Sequence, residues 1–252
     1  MKVKLILLIA IWSFCYTEQK KTFYPDNVLK SEYHINGGLL DGRLQTFYPS
    51  GKLESETHYT SGLMDGIKKE FYKNGKLNLE SVYKKGKSEG TQKRWFENGK
   101  IQSEYNFREG KLEGICTDFY ESGVLKQKAQ YGNNKRNGLT QKYNKNGVYI
   151  FEGRYGNGNL EGLVKEYYDS GKLKSEIHYG NFKKNGPAKH YSEAGVIIFE
   201  EEYSNNKLNG ERKSYYMNGT IQYIDRYNNG KISLRKSYDE SGENEVIKKM
   251  GR

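Results

Sequence analysis

The chain is short of the residues that staple, bend or fill a globular domain. It has two cysteines, three prolines and four histidines in 252 residues. Cys15 falls in an N-terminal segment with the marks of an export signal, which leaves Cys116 as one thiol. A lone thiol forms no intramolecular disulfide, redox pair or metal site. Three histidines, His34, His58 and His178, share one slot of a repeating pattern, beside its closing aromatic. His58 and His178 lie five repeats apart, roughly 48 Å at two strands per repeat, and neighbouring His34 and His58 about 10 Å, too far for one ion. The longest apolar run, residues 5–12, is far below the ~20 residues of a membrane span. Hydrophobic residues make up 35% of the chain, too few for one thick core. The glycine-rich stretch 153–158 has no phosphate-loop lysine and no following helix. The recurring glutamates are each spaced to meet a lysine, not a second carboxyl in a cleft. These absences argue against an enzyme, a cofactor and a resident metal.

What the chain has is a period. Gly42, Gly66, Gly90, Gly114, Gly138, Gly162, Gly186 and Gly210 recur every 24 residues without a slip. Nine residues after each comes a second glycine, Gly51 through Gly219, and seventeen after each an aromatic, Tyr59 through Tyr227. A period of this length marks a stacked repeat architecture, in which neighbours bury each other's apolar surface. Tyrosine supplies 23 residues, so the buried surface is mostly amphipathic aromatic. Disordered chains, which can be equally polar, are poor in aromatics. The segment 23–34 aligns with 47–58, so the array opens on a half-repeat. At the far end Leu234 replaces the ninth opening glycine, as in a capping repeat.

One copy, residues 66–89, reads as a hairpin. Asn74-Gly75 between two β-rich runs predicts a two-residue turn with both residues at positive φ. Residues 84–89 read as a six-residue loop to the next copy. The turn sets Lys69 opposite Glu80, and likewise Lys93 with Glu104, Lys165 with Glu176 and Lys189 with Glu200. Where the glutamate becomes Lys128, its partner is Thr117. Cross-strand opposite charges are worth ~0.2–1 kcal/mol per pair. The same register puts Tyr72, Leu77 and Tyr83 on one face. On the other it puts a column of Phe71, Trp95, Phe119, Tyr143, Tyr167 and Tyr191, the candidate interaction surface. The fold class expected is all-β: an elongated, solenoid-like antiparallel sheet of tandem 24-residue β-hairpins. It has about 17 to 18 strands and, at ~4.8 Å each, is roughly 80 Å long.

The pattern Gly-x4-Phe-Tyr-x-Asn-Gly-Lys-Leu-x2-Glu-x2-Tyr-x2-Gly-Lys-x-Asp/Glu-Gly resembles the MORN repeat in its bacterial variant form, over residues 23 to about 246. The resemblance implies a row of hairpins with a non-catalytic role near membranes or in protein scaffolding. It also implies kinship with the YwqK-type antitoxins, which would make the chain the immunity partner of a toxin.

Lys2 and Lys4 precede the apolar residues 5–12, as in an export signal. Ser13 and Cys15 fit the small residues of a cleavage site; alternatively Cys15 is the lipidated first residue of a lipoprotein. The chain then divides into signal 1–15, linker 16–22, array 23–247 and tail 248–252. The net charge of +11 is carried largely by lysines in the turns. The expected function is an exported scaffold in the periplasm, on the outer surface or secreted, with a protein or a cell-surface polymer as partner. Alternatives are the antitoxin and a module on an anionic membrane surface; nucleic acid is not expected.

Overall fold

The structure, a computed structural model, describes residues 17–243 and 245–249. Residues 1–15, read above as an export signal, and with them Cys15, lie outside the described residues. The chain forms two compact units, one up to residue 88 and one from residue 89. Each is an antiparallel meander of successive hairpins, in which the short strands Leu39–Leu40, Lys111–Leu112 and Lys207–Leu208 share their partner with the strand that follows them, and no helix occurs among the described residues. In the first unit Leu53–Thr60, Leu63–Phe71 and Leu77–Lys84 pair in succession. In the second, strands from Ile101–Arg108 to Lys231–Tyr238 and Glu245–Lys249 repeat the plan.

The turns change places with the expectation. Residues 84–89 are not a loop: Ser61-Gly62, Lys85-Gly86, Asn157-Gly158 and their equivalents are two-residue hairpin turns with both residues at positive φ, for example +49° and +78° at Lys85-Gly86. Such turns match the right-handed twist of their strands. The N–H of the second residue donates to the preceding repeat, Gly62 to the carbonyl of Leu40 at 2.7 Å and Gly158 to that of Arg136 at 2.8 Å.

At the other edge, Asn74-Gly75 closes a three-residue loop. The Tyr72 N–H donates to Lys76 and the Gly75 N–H to Tyr72, each at 2.8 Å, and of the turn pair Gly75 alone has positive φ. A bulge follows: Phe71 pairs with Leu77, while Glu70 pairs with Leu79. The longer loop and the bulge each displace the strands by one residue in opposite senses. Lys69 therefore still faces Glu80, but Leu77 faces Phe71 and not Tyr72. The same bulge recurs at Trp95, Phe119, Tyr143, Tyr167 and Tyr191. Tyr72-type residues instead reach along the array. The hydroxyl of Tyr120 donates to the carbonyl of Tyr143 at 3.0 Å, and that of Tyr168 to the carbonyl of Tyr191 at 2.6 Å.

The described part of 16–22 is not a linker. Thr17–Phe23 is a strand paired with Leu29–Asn36. An end strand needs backbone partners more than apolar side chains, and here Thr22 meets Ser31 at 2.6 Å. Residues 248 and 249, read as tail, close the strand Glu245–Lys249.

One face of the meander, the enclosed face, carries small buried side chains. In the second unit Cys116 faces Ala129, Ala129 faces Thr140, Val164 faces Ile177 and Ile177 faces Ala188. Long neighbours fold over them: the Arg136 guanidinium lies 5.3 Å from the Tyr155 ring and the Lys184 ammonium 5.1 Å from the Tyr203 ring. Burial pushes the Cys116 thiol up, so it is an inert occupant of its slot. Towards the C-terminus the same slots turn ionic. Arg235 grips the buried Asp225 with two hydrogen bonds of 2.7 and 2.8 Å, and Arg212 meets Glu201 at 2.9 Å. Burial would raise the Glu201 carboxyl, but hydrogen bonds from His190, Tyr203 and Arg212 outweigh it and hold the group down to about 2.

Two predictions follow from these local features. Phe182 occupies the second turn position, which holds glycine or asparagine in the other copies. It sits at φ +66° and is 60% exposed. A left-handed bulky residue costs of order 1–3 kcal/mol, so Phe182→Gly stabilises the chain by about 1 kcal/mol, read as a higher midpoint in thermal melts. Glu201 has a folded pKa below its unfolded one. Its contribution is therefore complete above the unfolded value and lost as pH falls through the folded one. Stability measured by denaturant titration falls between about pH 4.5 and 2, and Glu201→Gln removes that part of the slope.

Candidate interaction surface

The opposite face, here the ladder face, carries three parallel rows. The first is the aromatic column. In the second unit Trp95, Phe119, Tyr143, Tyr167 and Tyr191 lie opposite Ile101, Leu125, Tyr149, Leu173 and Ile197. In the first, Phe71 lies opposite Leu77. All six are half-buried, because the bulge turns the return-strand residue onto their face and fills the gaps between them. Tyr149 bridges two of them, with ring centroids 5.3 Å from Tyr143 and 5.2 Å from Tyr167.

The second row is the charge ladder. Lys93–Glu104, Lys165–Glu176 and Lys189–Glu200 meet at 3.1, 3.1 and 3.0 Å in the second unit, and Lys69–Glu80 at 3.5 Å in the first. The ladder is tied to the column: the Tyr191 hydroxyl donates to Glu176 at 3.0 Å. Burial, and then that carboxylate, push the Tyr191 hydroxyl up to about 12, so the tyrosine stays a neutral donor. Burial also raises Glu176, but the bonds from Lys165 and Tyr191 outweigh it and keep it low and charged.

The third row had no place among the sequence candidates. Ile115, Leu139 and Leu163 are 48%, 40% and 38% exposed, one repeat apart in the second unit. Each directly follows an opening glycine and faces a polar residue, Gln130, Arg154 or His178. A shallow hollow between two of them is lined by Ile115, Leu139, Lys128, Gln130 and Gln141. In the first unit Ile67 and Val82 occupy the same slots and are exposed as a cross-strand pair. The signal was available: a slot apolar at Ile67, Ile115, Leu139 and Leu163, the last three opposite polar partners. Strand alternation by itself places the residue after the glycine in the hairpin without marking it as exposed.

No group of three or more His, Cys, Asp or Glu able to hold a metal occurs among the described residues. His58 and His178 lie with Nδ1 at 3.3 and 3.2 Å from the carbonyls of Ile67 and Pro187, each on its own neighbouring strand.

The family model described as MORN repeat variant matches residues 40–60, 64–85, 88–109, 112–133, 160–181, 184–205 and 208–232, more than half of the chain. No curated protein matches the chain. The gap in the family match, 134–159, is no gap in the fold. Lys135–Tyr143 and Tyr149–Gly156 form the same bulged hairpin. This copy departs in side chains: Tyr149 stands where Leu or Ile stands in other copies, and Gly153 leaves room for Phe151, whose Cζ would lie 2.9 Å from an added Cβ. The departure falls where Tyr149 joins Tyr143 to Tyr167.

Proposed function

Because the chain belongs to the MORN repeat variant family, a repeat type that binds proteins and membranes and is not enzymatic, we propose that it is an exported scaffold whose ladder face holds a protein or a cell-surface polymer. The observation that carries this reading is the Ile115–Leu139–Leu163 row. Exposed apolar side chains scattered singly need no explanation, but a row on one face marks a contact surface. Three rungs at two strands per repeat span roughly 19 Å. Beside them the charge ladder orients a partner, and the Tyr143–Tyr149–Tyr167 cluster continues the apolar contact. The basic and apolar N-terminal segment supports export.

A second reading rests on Phe182. An exposed aromatic held in a strained turn, with the exposed Lys183 beside it and turn lysines Lys135, Lys207 and Lys231 at the same slot of other copies, suits an anionic membrane surface.

Two experiments separate these readings. In a cross-linked pull-down of the tagged chain from its native cells, the unaltered protein captures its partner, and Leu139→Lys with Leu163→Lys loses it while the β-sheet circular dichroism is unchanged. Capture that survives the double substitution sinks the ladder-face reading. A single stoichiometric protein would point to a dedicated partner such as a toxin. The half-buried Trp95 and Phe119 make poor probes, since alanine there would also open the packing against Ile101 and Leu125. For the membrane reading, co-sedimentation with anionic vesicles is lost at high salt and weakened by Phe182→Gly, a change that leaves the fold more stable. Binding indifferent to both disposes of it.

A further inference from the structure

The strand Glu245–Lys249 is an end strand of unusual composition. It pairs on one side with Lys231–Tyr238, from Tyr238 opposite Glu245 to Leu234 opposite Lys249. No other strand among the described residues pairs with it. All five side chains are exposed, Val246 by 65% and Ile247 by 58%. An open edge with apolar residues invites another strand, and proteins blunt such edges with lysine. Lys248 and Lys249 could serve that purpose, and neither has an ion-pair partner among the described residues. But the sequence Glu-Val-Ile-Lys-Lys answers its own charges.

We propose that this edge is a self-complementary docking strand through which a second copy of the chain pairs, antiparallel, about a two-fold axis at Ile247. In that register Ile247 faces its counterpart, and Glu245 faces the second copy's Lys249 once on each side of the axis. Val246 meets the aliphatic stem of the second copy's Lys248. Residues 245, 247 and 249 share a face, so the two charge rungs flank the isoleucine pair. Glu245 already accepts from Lys236 at 2.8 Å and Tyr238 at 3.3 Å. A carboxylate has about four acceptor positions, so a further lysine can be accommodated.

The strand at the other end of the described residues, Thr17–Phe23, has no apolar residue before Phe23 and would leave Val246 and Ile247 uncovered. Head-to-tail growth is therefore disfavoured against a closed dimer, since an isologous contact uses up the edge it forms on. Five residues bury far less than the ~1,200 Å² of stable complexes, so the association is reversible and concentration-dependent.

The test uses the full chain carrying Cys15→Ser, which leaves the buried Cys116 as the one native thiol. In Ile247→Cys the two α-carbons of the dimer lie about 4.5–5.5 Å apart, within disulfide range, and mild oxidation yields a covalent dimer. In Val246→Cys the thiols are offset by two positions along the strands, and dimer forms at least about tenfold more slowly. By sedimentation equilibrium the unmodified chain shows a monomer–dimer equilibrium with no larger species. Lys249→Glu, which leaves the Glu245–Lys236 pair in place, weakens dimerisation about tenfold, two like-charged rungs being created, and high salt narrows the difference from the unmodified chain. A chain that stays monomeric at every concentration, equal cross-linking at both positions, growth beyond the dimer, or dimerisation indifferent to Lys249→Glu would each overturn the proposal.

Discussion

The structure depends on one constraint: a two-residue turn in which both residues are left-handed and the second donates its N–H back to the preceding repeat. Ser61-Gly62 and Asn157-Gly158 show it in the first and second unit. The turn conformation joins two strands with the twist of the sheet, and the donated hydrogen bond joins two repeats. Where it is made, from Gly62, Gly86, Asn134, Gly158, Asn206 and Gly230, that bond reaches the carbonyl 22 residues back, so a change in repeat length there would break it. The unslipped 24-residue period of the opening glycines is the sequence trace of this stitch. At the other edge the Tyr120 and Tyr168 hydroxyls do the same by side chain, reaching the first aromatic of the next copy. Copies that carry both bonds are thus held at both edges by their neighbours. That matters in an architecture without a central core, where stability is a sum over adjacent pairs.

The period, the all-β class and the charge ladder were legible because each is a relation between residues at fixed spacing. The turns were not, for an instructive reason. Asn-Gly is a strong signal for a two-residue turn, and the copies carry it at 74-75, 98-99, 146-147 and 218-219. In the fold the glycine serves a three-residue loop, and a bulge returns the lost register before Lys69 and Glu80 meet. Correct charge pairs therefore could not expose the mistaken turn: a register argument tests the strand beyond the bulge and is blind to the tip. The error showed only at the tip itself, where Leu77 passes from Tyr72 to Phe71. That exchange changes the candidate surface, since the Leu77-type residues fill the column that was to have been the exposed one.

The enclosed face explains why so polar a chain can fold. Its buried slots hold serine, threonine, alanine, cysteine, valine and isoleucine, with little volume to bury. The tyrosines and long cations beside them do the covering, ring and stem inward and polar end outward, as amphipathic side chains can. In the C-terminal copies Glu201, Arg212 and Asp225 replace the small side chains, and the covering groups change with them: Arg212 lies 4.3 Å from the Phe199 ring and Arg235 4.6 Å from the Tyr223 ring. A buried pair of this kind adds little net stability over apolar residues of equal size, but breaking it by removing one partner is costly. These copies therefore tolerate substitution at the paired positions less well than the Cys116 and Ala129 slots do.

The ladder face then divides into parts with different freedom to vary. The aromatic column and the Lys–Glu rungs are bound to each other, as Tyr191, Glu176 and Lys165 are, so a change there disturbs packing before it disturbs a partner. The residue after the opening glycine is different. At that slot the chain has Arg43, Ile67, Thr91, Ile115, Leu139, Leu163, Pro187 and Glu211, a range that no packing rule would allow. Where the fold imposes nothing, three consecutive apolar residues at 115, 139 and 163 ask for a cause outside the fold, because exposed leucine and isoleucine in a row cost solubility and add no stability. The copy that breaks the family match lies within this same stretch, with Tyr149 added to the aromatic cluster. Side chains free of structural duty and a copy that departs from its family thus coincide on one stretch of one face.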